Sequence, residues 1–232
     1  MKRLICMIMA LVLSLTACGG APASPSGSTG GGSEATVTTA GKKPRPDKGG
    51  KITLEKLMEA EDSPEDDFVV IDHDNGHVEL LQYIGSSEVV VIPQTWKGKE
   101  ITSIASYVFG VNSNVKAIRL SDSIECLDLC SFSTNENLEI IVCGSGLKTL
   151  EDAVFLDSEN LHTVILNDGV ETISTLVFGD CKSLTEIEIP SSVTNIEPGA
   201  FSGCPDNFLI IGEAGSAAEQ YAADEGFQFQ AK

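Results

Sequence analysis

The chain has 232 residues, 42% of them hydrophobic, and carries 34 Asp and Glu against 15 Lys and Arg, a net charge of −19. That length is enough for a sizeable core. The acidic balance excludes a nucleic-acid binder, which needs a basic footprint. The charge is also uneven. Residues 52–232 hold 8 basic and 32 acidic side chains, net −24, whereas residues 19–51 hold 5 basic and 2 acidic, net +3.

In chain order, Lys2 and Arg3 precede an apolar run from Leu4 to about Leu15. The run is too short to span a bilayer and reads as a secretory signal over residues 1–17. Leu15-Thr16-Ala17-Cys18 resembles the lipobox of bacterial lipoproteins. The resemblance implies cleavage before Cys18 and attachment of a diacylglyceryl group to its sulfur. Two acyl chains, at about 0.8 kcal/mol per buried CH₂, anchor stably where one is marginal. Ordinary cleavage would instead release a soluble protein; the small residues flanking Cys18 favour lipidation.

Residues 18–51 follow as a Gly, Ser, Pro and Thr tether with almost no large apolar side chains. Such a composition cannot bury enough surface to offset its ordering entropy. Its basic end, Lys42, Lys43, Arg45, Lys48 and Lys51, fits either a solvated linker or a segment lying against an anionic envelope.

Residues 52–91 read as an N-terminal cap. Thr53 to Ala60 predicts a short helix with Thr53 as its N-cap, and the acidic stretch 59–67 a solvated connection. Phe68–Asp72 and His77–Ile84 flank Asn75-Gly76, the strongest two-residue hairpin signal. The hairpin is expected to cover an edge that would otherwise pair with other chains.

From residue 92 the chain is periodic. Phe occurs at 109, 132, 155, 178 and 201, each interval being 23 residues. Numbering a unit from Leu161, the first position reads Val115, Leu138, Leu161, Leu184, and the fourth Ile118, Ile141, Val164, Ile187. The sixth, tenth and thirteenth positions are apolar in the same register. Alternation of the fourth and sixth around the fifth marks a short strand. A single unit has only a thin apolar edge, so stacking is needed to bury it.

The run LTEIEIPSSVTNIEPGAFSGC (184–204) resembles the BspA-like leucine-rich repeat of bacterial surface proteins, whose pattern is LxxIxLPxxVxxIxxxAFxxC. Residues 90–109 look like that family's first repeat, with a longer connection after Pro93, and 212–231 look like its terminal segment. The resemblance spans roughly 68–232. It implies an α/β-type solenoid of five 23-residue leucine-rich coils over 92–206, with short parallel strands on one face and short helical or 3-10 turns on the other. The middle units depart from the pattern: Ser131, Val154 and Val177 replace the Ala before Phe, and Ser158 replaces the Cys or Asn of position 21. Residues 207–232 form a C-terminal cap, in which Ser216-Ala217-Ala218-Glu219 fits a capping box and Gly226 a helix stop.

Catalytic chemistry finds no support. There is no GxSxG elbow, P-loop or dinucleotide fingerprint. Cys126 and Cys130 lack a second pair with zinc-ligand spacing. Cys181 and Cys204 share a slot in adjacent coils and fit either a bridge or two packed thiols. His73 and His77 flank the hairpin turn, and a calcium-loop alignment there puts Ile71 and Gln82 where acids belong. We therefore expect no enzyme, no cofactor and no metal.

One surface remains. The outward third and fifth strand positions are Ala117 and Arg119, Ile140 and Val142, Thr163 and Ile165, Glu186 and Glu188. They predict an exposed apolar centre on the concave face, with a cation at one end and carboxylates at the other, as a recognition surface has. Arg119, Ile140, Val142, Thr163, Ile165, Glu186 and Glu188 are the candidate ligand-binding residues. The expected function is adhesion-like recognition of an extracellular protein or glycan from the cell surface; the alternative is a scaffold lipoprotein for the cell's own envelope proteins.

Overall fold

The computed structural model describes residues 52–73, 75–110 and 113–232; the signal, Cys18 and the tether lie outside the described residues. The elements run α1 (Leu54–Met58), β1 (Phe68–Asp72), β2 (His77–Tyr83), β3 (Val89–Val91), β4 (Thr95–Trp96) and β5 (Lys99–Ile104). Each following coil contributes a three-residue and then a two-residue strand. These are β6 (Ala117–Arg119) and β7 (Cys126–Leu127), β8 (Ile140–Val142) and β9 (Thr149–Leu150), β10 (Thr163–Ile165) and β11 (Thr172–Ile173), β12 (Glu186–Glu188) and β13 (Asn195–Ile196). The chain ends with β14 (Leu209–Gly212), α2 (Ala217–Glu225) and β15 (Gln228–Ala231).

The three-residue strands stack in parallel with β3, β6, β8 and β10 in unbroken register: Val90 faces Ile118, Ile118 faces Ile141, and Ile141 faces Val164. β12, β14 and β15 form a second parallel group. The short strands build the opposite face as ladders β2–β5–β7 and β9–β11–β13. Where the sequence pattern suggests helical turns on that side, the coils combine two-residue strands with successive hydrogen-bonded turns. In one, Leu156 N–H donates to Ala153 O and Ser158 N–H to Phe155 O.

Between the two faces the five repeat Phe are each fully buried and form a column. Successive ring centroids lie 5.2, 5.2, 5.4 and 5.1 Å apart and the rings are stacked. Each such pair adds about 0.5–1.5 kcal/mol beyond area burial. The backbone repeats with the rings. Phe132 N–H donates to Val154 O at 3.0 Å, Phe155 N–H to Val177 O at 2.9 Å and Phe178 N–H to Ala200 O at 2.9 Å. The column is capped by Tyr83 at one end, 5.7 Å from Phe109, and by Phe208 at the other, 5.0 Å from Phe201.

The departures from the repeat pattern have a physical reading. At position 21, Cys181 Sγ donates to Phe155 O and Cys204 Sγ to Phe178 O, both at 3.4 Å. Ser158 makes the same contact, its hydroxyl donating to Phe132 O at 3.2 Å. In these three coils the slot holds a small donor, whereas Asn135 in the same slot accepts at Oδ1 from Asn137 and Leu138 N–H; both cysteines are free thiols. Burial pushes the Cys204 thiol up to about 12 and raises Cys181 well above its ordinary value, so neither is a nucleophile at neutral pH.

A feature with no sequence signal is left-handed backbone at two sites of the coil: Tyr107, Cys130, Ala153 and Leu176 have φ of 62°, 60°, 57° and 56°, and four residues on Thr134, Asp157 and Asp180 have 59°, 58° and 55°. Among the described residues only the last coil places Gly at these sites, Gly199 at φ 75° and Gly203 at φ 81°. The regular ladder holds non-glycine residues in a conformation that costs roughly 1–2 kcal/mol each.

The caps form largely as the sequence suggests. β1 and β2 pair antiparallel around Asn75-Gly76, with Gly76 at φ 94° and Asn75 Oδ1 accepting from His77 N–H. β2 also pairs in parallel with β5, closing that edge of the ladder. At the far end Ser216 Oγ accepts from Glu219 N–H, the Glu219 carboxylate accepts from Gly215 N–H, and α2 stops at left-handed Gly226. The first coil is longer than the rest: 28 residues separate Val90 from Ile118, against 23 between Ile118 and Ile141. The excess is the small hairpin of β4 and β5, with Lys97 and Gly98 at positive φ in its turn.

Candidate recognition face

The outward strand positions carry the site, and the structure corrects their expected exposure. Ala117, Ile140 and Val142 are buried, at 0%, 2% and 6% relative exposure. They form a second apolar cluster, separate from the main core, with Ile52, Leu57 and Val91. Leu54, Ala60, Val89 and Ile165 pack partly against it. The cover is the chain's own segment 52–60, built on α1. An apolar stripe across adjacent strands cannot stay in water cheaply, and the nearest apolar chain takes it.

Three hydrogen bonds tie the cover down. Arg119 Nη2 donates to Ala60 O at 2.7 Å. Ser63 N–H donates to Val91 O at 2.9 Å, and Ser63 Oγ accepts from Val91 N–H at 3.0 Å. Thr53 caps α1 as the sequence suggests, accepting from Lys56 N–H at 3.3 Å. The segment expected to be a free solvated connection therefore begins as an edge contact to β3. Arg119 is the cation of the face, but it serves the chain's own backbone; its Nε is buried with no hydrogen-bond partner among the described residues.

The rest of the face is open. Thr163 and Ile165 are partly exposed, and Glu186 and Glu188 are exposed. Glu188 accepts from Lys232 Nζ at 2.6 Å. A groove of about 490 Å³ runs beside α1, lined by Leu54, Met58, Arg119, Val142 and Ile165 among others. Met58 stands at its rim with 51% relative exposure. The structure thus separates the candidate residues into a covered group, Ile140 and Val142, a tethering one, Arg119, and an open group, Thr163, Ile165, Glu186 and Glu188. The covering residues Ile52, Leu54 and Leu57 were absent from the sequence-based set. The signal for them was the unusual apolarity of outward positions on three neighbouring strands.

The opposite face has a wider groove of about 920 Å³ lined by His73, His77, Glu79, Asp128, Lys148 and Glu151 among others. His73 Nε2 lies 3.0 Å from Glu79 Oε2, whereas His77 Nδ1 lies 3.8 Å from Glu100 Oε2. The two histidines thus turn to different carboxylates. Burial, then the Glu79 and Glu151 charges, raises the Asp128 carboxyl above its ordinary range, and burial raises Glu151. Among the described residues no group of three or more His, Cys, Asp or Glu is arranged to hold a metal ion.

A family model described as the BspA type leucine rich repeat region, in six copies, matches residues 86–207. The chain is a BspA-type leucine-rich repeat protein. The match begins before residue 92, in keeping with β3 at Val89–Val91. A leucine-rich repeat protein of T. pallidum is similar in structure, with a TM-score of 0.61 and 22% identity over 65% of this chain and 71% of that one. One from Bacteroides ovatus has a TM-score of 0.54 and 23% identity over 63% of this chain and 40% of that one. At these identities the likeness is one of fold. No curated protein matches the sequence. BspA-type leucine-rich repeat proteins are typically bacterial surface proteins, and such repeats generally serve as protein-binding scaffolds. No helix among the described residues is long and apolar enough to cross a membrane.

Proposed function

We propose that this leucine-rich repeat chain is a bacterial surface lipoprotein, anchored through Cys18, whose strand face recognises an extracellular protein. The observation that carries the reading is the parallel outward face itself. It is preformed by the ladder, apolar in its centre, and open over Thr163, Ile165, Glu186 and Glu188 beside the groove. A rigid face loses little freedom on binding, which favours affinity. The outward positions of β6, β8, β10 and β12 carry no aromatic side chain, so the face lacks the flat rings on which sugars stack. That favours a protein over a glycan.

The test has two arms. Full-length protein immobilised through its C-terminus is offered extracellular proteins of the producing cell and of foreign surfaces. Specific capture lost on Ile165→Glu with Glu188→Lys supports the face; capture unaffected by both refutes it. For the anchor, Cys18→Ser should shift the protein from the membrane fraction to the medium and abolish incorporation of a fatty-acid label. Unchanged labelling would refute it.

A further inference from the structure

The segment over the recognition face has the features of a ligand. It places Leu57, at 0% exposure, and Ile52, at 5%, on the outward side chains of β3, β6 and β8. It ends its helix with a backbone carbonyl on Arg119. Yet its own helix adds little to that hold. α1 has five residues, and isolated helices below about 12–15 residues are marginal in water. Among the described residues its polar attachment is confined to Ala60 and Ser63. The chain that follows, Glu59 to Asp67, carries six carboxylates in a domain already strongly acidic, so its seat is electrostatically disfavoured. Arg119 has a second donor, Nε, with no hydrogen-bond partner among the described residues.

We propose that residues 52–63 are a built-in competitor, and that the partner recognised here is a short basic amphipathic helix that displaces them. This rests on the reading of the strand face as the recognition surface. The partner sets a branched aliphatic side chain where Leu57 sits and a carbonyl on Arg119. Its cations meet Glu186, and Glu188 in place of Lys232, at the open end of the same face. The cis occupant lacks that charge: residues 52–63 carry Glu55, Glu59, Glu61 and Asp62 against Lys56 alone, so a basic helix complements the acidic face better than the cover does. Competition of this kind lowers apparent affinity by the fraction of time the face is covered, so binding strengthens when the cover is weakened.

The probe is a fluorescein-labelled peptide of residues 42–63, added to the full-length protein and read by anisotropy. Leu57→Asp, which ejects the cover, should tighten peptide binding at least tenfold over the unmodified chain, and the milder Leu57→Ala should fall between. Adding Ile140→Glu to Leu57→Asp should abolish the gain. Trypsin cleavage after Lys56 should accelerate in the same order, which shows release without relying on binding. Equal peptide affinity for all three chains, with cleavage accelerated and the thermal transition of the repeats retained, overturns the proposal. So does a wild-type dimer by light scattering that exchanges segments between copies. If the released chain rejects the peptide but still captures an extracellular protein through Ile165 and Glu188, the recognition reading stands and the competitor falls.

Discussion

Arg119 and Ala60 are joined across 59 residues of sequence by one hydrogen bond, guanidinium to carbonyl, at 2.7 Å. The contact fastens the N-terminal segment to the middle of the outward sheet, and it makes a folding-level prediction. Arg119→Ala should cost about 1.5–3 kcal/mol, the range for hydrogen bonds to charged groups. Urea unfolding monitored by circular dichroism checks it, and amide exchange at Val91 should quicken as Ser63 loosens with its neighbour.

The aromatic column predicts a position-dependent penalty. Phe155 stacks between Phe132 and Phe178, and Phe155→Ala should lose about 3–5 kcal/mol. Because repeat arrays couple only through neighbours, hydrogen exchange should show the loss greatest in the coils flanking residue 155. An even loss from end to end would contradict the stacked arrangement.

Close approach of coils fixes Gly144. A Cβ built there would lie 2.0 Å from Ser121 O, a backbone atom that cannot swing aside. Gly144→Ala should therefore cost about 1–3 kcal/mol or more. Gly199→Ala is the control. Its Cβ would be 4.0 Å from Ser202 Cβ, so only the left-handed φ is penalised, at roughly 1–2 kcal/mol.

The donor slot at position 21 separates chemistry from identity. Ser158→Cys keeps a donor on Phe132 O and should change stability by less than about 1 kcal/mol, whereas Ser158→Ala removes it and should cost about 1 kcal/mol or more. Thermal melts of the two variants decide the matter.

The far groove predicts a pH dependence. Asp128 and Glu151 have carboxyls raised above the ordinary range, so the folded protein holds their protons more tightly than the unfolded chain. Their contribution to stability is complete below the unfolded carboxylate value and is lost as pH rises through the raised folded value. Stability should consequently increase as pH falls through the raised carboxyl range toward the ordinary carboxylate value, and Asp128→Asn should flatten that slope while raising the neutral-pH melting temperature. A slope unchanged by Asp128→Asn would assign it to the overall negative charge instead.

Much of the core was legible because each apolar position recurs every 23 residues and the ladder turns that period directly into contact. Val90, Ile118, Ile141 and Val164 lie side by side for this reason. The hairpin at Asn75-Gly76 and the cap at Ser216 were equally plain, since turn and cap chemistry is local. Three things were not. The left-handed sites of Tyr107, Cys130, Ala153 and Leu176 carry no glycine, because the ladder imposes the conformation. The two-residue strands at Cys126–Leu127 and its equivalents are too short to show an alternation. The cover over Ile140 and Val142 was hidden because its docking surface exists only once three coils have assembled. The outward aliphatics marked a surface that needs an apolar cover, and that cover is the chain itself.

The unequal coil lengths have a practical consequence. A coil of 28 residues and one of 23 feed the same pair of ladders without a break. Strand pairing, and not residue count, thus sets where each turn of the solenoid ends, and surplus chain is looped out at Lys97-Gly98. That loop is a natural docking port for an engineered insert: an epitope or reporter peptide placed there would leave the aromatic spine and the outward sheet undisturbed.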